Sequence, residues 1–154
     1  MTVTVGDKAP AFNLPTDGNG QLKLSDLKGK TVVLFFYPKA STPGCTNEAK
    51  DFTALSKEFE KAGAIIVGAS KDSIKRQDNF KAKNELSMAL LSDEEGTLCE
   101  AYGVWVLKKN YGREYMGIER STFVIDGKGK ITHEWRKVRV KDHAEAVLEV
   151  VQNL

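Results

Sequence analysis

The sequence predicts an α/β fold in which a central mixed β-sheet is flanked by helices. Three observations carry that prediction. Short apolar segments alternate along the chain with segments of helical periodicity. Two of the apolar segments, residues 31–37 and 64–69, are continuously apolar and rich in β-branched or aromatic residues, as strands covered on both faces are. A late pair of apolar segments flanks Asp126-Gly127-Lys128-Gly129, a turn sequence that calls for an antiparallel hairpin.

The elements follow in order. Residues 10–14 and 21–24 alternate around Thr16-Asp17-Gly18-Asn19-Gly20 and predict an N-terminal β-hairpin extension. Ser25-Asp26-Leu27 reads as one turn, and residues 31–37 as a buried strand. From residue 43 to 61, Ala49, Phe52, Leu55, Phe59 and Ala62 keep three- and four-residue spacing, which predicts one helix with Pro43 in its first turn. A second buried strand spans 64–69, and Asp72 or Ser73 can cap a helix running to about residue 85. Residues 88–91 predict a third strand, and residues 93–102 a helix stopped by Gly103. Strands at 121–125 and 130–135 and a helix at 142–152 close the chain. No repeat or linker divides the 154 residues, so one domain over 1–154 is expected, large enough for a core without staples.

Charge excludes several function classes. The 23 Lys and Arg against 21 Asp and Glu give a formal charge of +2, too little to attract nucleic acid or an anionic membrane. The N-terminus lacks the basic flank and apolar stretch of a signal peptide, and no segment approaches the roughly 20 apolar residues of a membrane span. A cytoplasmic protein is the expectation. His133, His143 and two separated cysteines lack ligand spacing, so no metal is expected.

Cys45 is the candidate nucleophile. It follows a buried strand and opens a helix, where unpaired N–H groups and the helix dipole favour a thiolate. The pattern Pro38-x-x-x-Thr42-x-x-Cys45 suits thiolate attack on a small electrophile such as an O–O bond. Thr42 can donate and accept a hydrogen bond, Gly44 lets the backbone come close, and Pro38 shields the sulfur from water.

Several separated motifs make the chain resemble the peroxiredoxins, in their bacterioferritin comigratory protein or Q-type group. They are Tyr37-Pro38-Lys39, Thr42-Pro43-Gly44-Cys45-Thr46-x-Glu48, Leu90-Leu91-Ser92-Asp93, Glu100-Ala101-Tyr102-Gly103-Val104-Trp105, Tyr111-Gly112, Met116-Gly117-Ile118 and residues 120–126, Arg120-Ser121-Thr122-Phe123-Val124-Ile125-Asp126. The resemblance implies a thioredoxin-like fold, a peroxidatic thiol at Cys45 and an arginine from a distant strand at Arg120. It also implies reduction of hydrogen peroxide and organic hydroperoxides, recycling by thioredoxin, glutaredoxin or another thiol reductant, no bound cofactor, and a monomer.

Departures from that pattern bear on the cycle. A resolving cysteine often lies five residues after the first, where this chain has Lys50, or near Phe80-Lys81-Ala82-Lys83, where it has none. Only Cys99 remains, and free cysteines are among the most buried residue types. A one-cysteine cycle with Cys99 structural is the preferred expectation. The alternatives are a two-cysteine cycle resolved by Cys99 and a redox sensor oxidised at Cys45; a protein-disulfide oxidoreductase would need Cys-x-x-Cys, which is absent. Glu48 can pair with Arg120 or serve only the helix start. Trp105, Tyr111 and Met116 are expected at the substrate entrance, and Arg136-Lys137-Val138-Arg139-Val140-Lys141 as a solvated edge.

Overall fold

The computed structural model describes residues 3–154. The elements run β1 (Asn13–Thr16), β2 (Gly20–Lys23), β3 (Thr31–Phe36), α1 (Pro43–Ala54), α2 (Ser56–Lys61), β4 (Ala64–Ser70), α3 (Ile74–Asn84) and β5 (Ala89–Ser92). They continue with α4 (Thr97–Ala101), β6 (Trp105–Asn110), β7 (Arg113–Ile118), β8 (Ser121–Ile125), β9 (Ile131–Trp135) and α5 (His143–Gln152). A seven-stranded sheet has the order β2-β1-β5-β4-β3-β8-β9. Its centre, β5-β4-β3, is parallel, and β1 and β8 join it antiparallel, so the expected mixed sheet with an N-terminal hairpin is present.

Alternation along β3 divides the core. Val33, Phe35 and Tyr37 face one side, where they pack with Ala49 and Phe52 of α1, Phe59 of α2, Phe80 of α3 and Val147 of α5. Val32, Leu34 and Phe36 face the other side, with Leu98 and Cys99 of α4, Tyr102 and Phe12. The Tyr102 hydroxyl donates to the Pro10 carbonyl at 2.8 Å, tying the N-terminal segment over this second face. Both faces are therefore covered, which is why β3 is buried along almost its whole length.

Three elements differ from expectation. The helix expected over 43–61 is divided at Leu55, whose ψ of 7° leaves the helical range and redirects the chain. Phe52 and Phe59 are both fully buried across this kink, with ring centroids 5.8 Å apart. The helix expected over 93–102 begins only at Thr97. Residues 93–96 form a turn with Gly96 at φ 80°, and the Asp93 carboxylate accepts from the Leu98 and Cys99 N–H groups at 3.2 and 2.9 Å. One acidic side chain thus satisfies two of the orphan donors of the short helix from outside it. The third difference is the β6–β7 hairpin, a two-stranded sheet apart from the main one, for which the sequence carries no strong apolar alternation. Its turn, Tyr111-Gly112, has φ of 51° and 77°, the conformation of a two-residue hairpin loop.

Gly68, central in β4, faces the first core. A Cβ there would meet Phe35 and Leu90 at 3.0 Å and Tyr37 at 3.1 Å. Gly68→Ala is expected to lower stability by about 1–3 kcal/mol through overpacking, read as a lower urea midpoint at unchanged m-value.

Candidate active site

The sheet register positions the site. Strand β8 runs antiparallel to β3 with Ser121 opposite Phe36, so Arg120, one residue earlier, lies beside the point where β3 ends. From that end the chain crosses a short loop to Thr42, the N-cap of α1, and Pro43 fills the first helical position. The loop is held from beneath by a buried polar network. The Ala40 N–H donates to Asp72 Oδ2 at 2.7 Å, and Ser70 Oγ donates to the same oxygen at 2.7 Å. Gln77 Nε2 donates to Ser70 Oγ and to the Leu91 carbonyl, both at 2.9 Å, and Gln77 Oε1 accepts from the Tyr37 hydroxyl at 2.6 Å. Burial pushes the Tyr37 hydroxyl's pKa well up, so it stays a donor. Ser41 takes a left-handed φ of 66° in this loop, and Thr42 Oγ1 donates to the Lys39 carbonyl at 2.8 Å.

Cys45 sits in the first turn of α1, 1% exposed. Arg120 Nη2 donates to its Sγ at 3.3 Å, and Nη1 donates to Glu48 Oε1 at 2.8 Å. The guanidinium therefore bridges a sulfur and a carboxylate that are one helical turn apart on α1. Gly44 permits the approach: a Cβ there would stand 3.1 Å from Arg120 Nη2. Glu48 is as buried as Cys45, and its Oε2 has no hydrogen-bond partner among the described residues. Burial pushes the Glu48 carboxyl up to about 7, and Arg120 offsets only part of that effect. Below the site His143 Nε2 lies 2.8 Å from Thr122 Oγ1. Burial and the Arg120 charge push this imidazole down to about 4, so it is neutral at physiological pH.

Of the residues expected at the site, Cys45 and Arg120 are in direct contact. Pro38 and Arg120 line a common groove of about 630 Å³. Thr42 caps α1 by backbone position only, its hydroxyl being turned to Lys39. Lys50 is exposed on α1. Cys99 is fully buried in the core on the other face of the sheet from Cys45, and burial together with Asp93 pushes its thiol's pKa well up. Both cysteines are free.

The expected entrance residues need correcting. Tyr115, not Tyr111 or Met116, lines the groove beside Arg120. Tyr111 is 98% exposed at the hairpin tip, and Trp105 lies under the Lys71 ammonium, 4.0 Å from the ring centroid. The basic segment after β9 is exposed at Lys137, Arg139 and Lys141, as a solvated edge is, but Arg136 turns inward to the carbonyls of Val3, Tyr102 and Gly103, and Lys137 also lines the groove. The Ser70-Asp72-Gln77 bracing was missed altogether. Polar residues just after a buried strand were its only signal in the sequence.

Comparison with known proteins places the chain. Residues 5–134 match the AhpC/TSA family. The chain belongs to that family. It is 51% identical over 154 residues to peroxiredoxin Bcp of Bacillus subtilis, covering 100% of this chain and 98% of that one. It is 41% identical over 143 residues to peroxiredoxin Bcp of Escherichia coli K12, covering 93% and 92%. Among solved structures, the bacterioferritin comigratory protein of Xanthomonas campestris superposes with a TM-score of 0.88 at 46% identity, covering 92% of this chain and 90% of that one. A PrxQ mutant from Xylella fastidiosa gives 0.94 at 37% identity, covering 99% and 98%. The Q-type resemblance and the thioredoxin-like fold expected from the sequence are borne out. As a peroxiredoxin, the family member is a thiol-dependent peroxidase, with a peroxide as substrate and a thiol as reductant.

The Glu48 carboxyl makes stability depend on pH. Its folded pKa of about 7 lies above the ordinary 4.5, so between those values the folded state holds more protons than the unfolded chain. This contribution is fully present below about pH 4.5 and is lost as pH rises toward 7. Urea denaturation at pH 5 and pH 8 is expected to show a smaller loss on going to high pH for Glu48→Gln than for the parent chain.

Proposed function

We propose that Cys45 is the peroxidatic residue of a one-cysteine cycle, with Arg120, Thr42 and Pro38 serving the same step. The Cys45 thiolate attacks the near oxygen of a hydroperoxide, the S–O bond forms as O–O breaks, and an alkoxide or hydroxide leaves. Sulfur is oxidised to a sulfenic acid, the peroxide is reduced, and the leaving oxygen takes a proton from water. Arg120, already donating to Sγ, can hold the peroxide and the charge growing on the leaving oxygen. Thr42 spends its proton on the Lys39 carbonyl, which leaves its oxygen lone pairs to accept the peroxide O–H. Pro38, at the groove beside Arg120, limits water at the sulfur.

The observation that carries the one-cysteine reading is the separation of the two sulfurs. Cys45 lies in the core on one side of β3 and Cys99 in the core on the other, so the sheet stands between them. A disulfide requires Cα atoms within about 7 Å and facing side chains, which α4 could offer only by leaving its buried place. An external thiol therefore condenses with the sulfenic acid, releasing water, and a second thiol frees Cys45 as the mixed disulfide is reduced. Thioredoxin, glutaredoxin or a small thiol suits that role. The same reading takes residues 1–154 as one domain acting as a cytoplasmic monomer. Among the described residues no helix is long and apolar enough to cross a membrane.

Mass spectrometry after one equivalent of peroxide is expected to find a sulfenic acid on Cys45, or its adduct with a trapping reagent. An intramolecular Cys45–Cys99 disulfide as the main species would overturn the one-cysteine reading. Steady-state turnover is expected to vanish in Cys45→Ser and to stay within about twofold of the parent in Cys99→Ala, a change in the core across the sheet from Cys45.

A further inference from the structure

We propose that the groove lined by Arg120, whose guanidinium reaches the sulfur of Cys45, is a subsite for the carboxylate of an anionic reaction partner, a proposal that rests on Cys45 being the reacting atom. The groove's volume, about 630 Å³, is that of a small-molecule site rather than a protein footprint. Arg120 joins it to the sulfur, Pro38 and Val138 supply apolar wall, and Lys108 and Lys137 bring two ammonium groups. Glu119 is the only acidic residue in the lining. Lys109 also lines the groove, but its ammonium is paired with Glu114 at 3.5 Å. Among the described residues, Lys108 and Lys137 have no carboxylate within salt-bridge distance. Lys108 is half-buried, and its pKa is lowered first by that burial and then by the Arg120 charge, with Cys45 and Glu119 acting in the opposite direction.

The balance of charge through the cycle says when the anion is wanted most. The thiolate is the form of Cys45 that reacts, and Arg120 donates to its sulfur. Attack on ROOH turns that thiolate into a neutral sulfenic acid and releases RO⁻, which is protonated by water and leaves. One negative charge has then gone from beside Arg120, at the end of a groove whose lysines are unchanged. The incoming thiolate R′S⁻ attacks the Cys45 sulfur, the S–S bond forms, and hydroxide departs. A carboxylate on that thiol is held by Lys108 and Lys137 while its sulfur reaches Cys45, so the preference for an anion is stronger in the reducing step than in the oxidising one.

Stopped-flow kinetics on the full chain tests this with paired probes. In the reducing arm, oxidised protein is mixed with glutathione or with glutathione diethyl ester. In the oxidising arm, reduced protein is mixed with a short alkyl hydroperoxide bearing a carboxylate or with its methyl ester. Each ratio of acid to ester is compared between the parent and Lys108→Gln/Lys137→Gln, which cancels intrinsic differences in probe reactivity and any general change at the sulfur. The glutathione ratio is expected to fall by roughly threefold to tenfold in the variant, and to fall in the parent as salt is raised. A fall in the hydroperoxide ratio that exceeds it would overturn the assignment to the reducing step. Ratios unchanged in both arms, with hydrogen peroxide turnover intact, would overturn the subsite. Hydrogen peroxide turnover that survives Cys45→Ser would instead defeat the assignment of the sulfur on which the subsite rests.

Discussion

The Arg120 guanidinium, held between Glu48 and the sulfur of Cys45, is the interaction on which the site depends. A partly buried charge is held in place by fixed partners, and α1 supplies both from positions 45 and 48, one helical turn apart. The geometry follows from choices made elsewhere in the chain. The β3–β8 register puts Arg120 at the end of β3, Gly44 leaves room for its Nη2, and Pro43 starts the helix that carries the two partners. Glu48 keeps one oxygen without a hydrogen bond, so the ion pair is bought at the cost of an incompletely satisfied buried carboxyl. A buried pair of this kind is weak evidence for stability, and its use is to hold the guanidinium in one place.

A second constraint comes from the sheet. Because β3 is covered on both sides, its alternating residues build two cores, and each cysteine belongs to a different one. Beneath the loop that leads into α1, Asp72 gathers the Ala40 N–H and the Ser70 hydroxyl, while Gln77 ties Ser70, Leu91 and Tyr37 together. These bonds lie in low dielectric and join the end of β3 and its loop to residues 70–77 and to β5, which is what holds an irregular loop to one conformation. The exposed β6–β7 hairpin is built differently, with little of its surface buried and its polar residues turned to the groove and solvent.

Much of this was legible in the sequence because the residues concerned obey local rules. The apolar runs of β3 and β4 announce buried strands, Asp126-Gly127-Lys128-Gly129 announces a hairpin, and Ser73 caps α3 by accepting from the Arg76 N–H. Cys45 and Arg120 were readable as a pair only through the motifs shared with peroxiredoxins, since 75 residues separate them. What was not legible depends on tertiary context. The break at Leu55 lies inside an unbroken helical pattern, and the late start of α4 is set by the side chain of Asp93, which reads equally well as the helix's first residue. The β6–β7 strands lack strong apolar alternation because they have so little core to face. The groove joins Pro38, the hairpin and the segment after β9, and no local pattern links those three.

The claim that Glu48 acts through Arg120 is open to a double-mutant cycle on the single-turnover rate of Cys45 oxidation by hydrogen peroxide. Four proteins are compared: the parent, Glu48→Gln, Arg120→Met and the double variant. If Glu48 serves to hold the guanidinium on the sulfur and peroxide, Glu48→Gln slows the reaction in the parent but adds little once Arg120 is gone, giving a coupling energy of about 1 kcal/mol or more. Rate losses that simply add, with coupling inside about 0.3 kcal/mol, would contradict it.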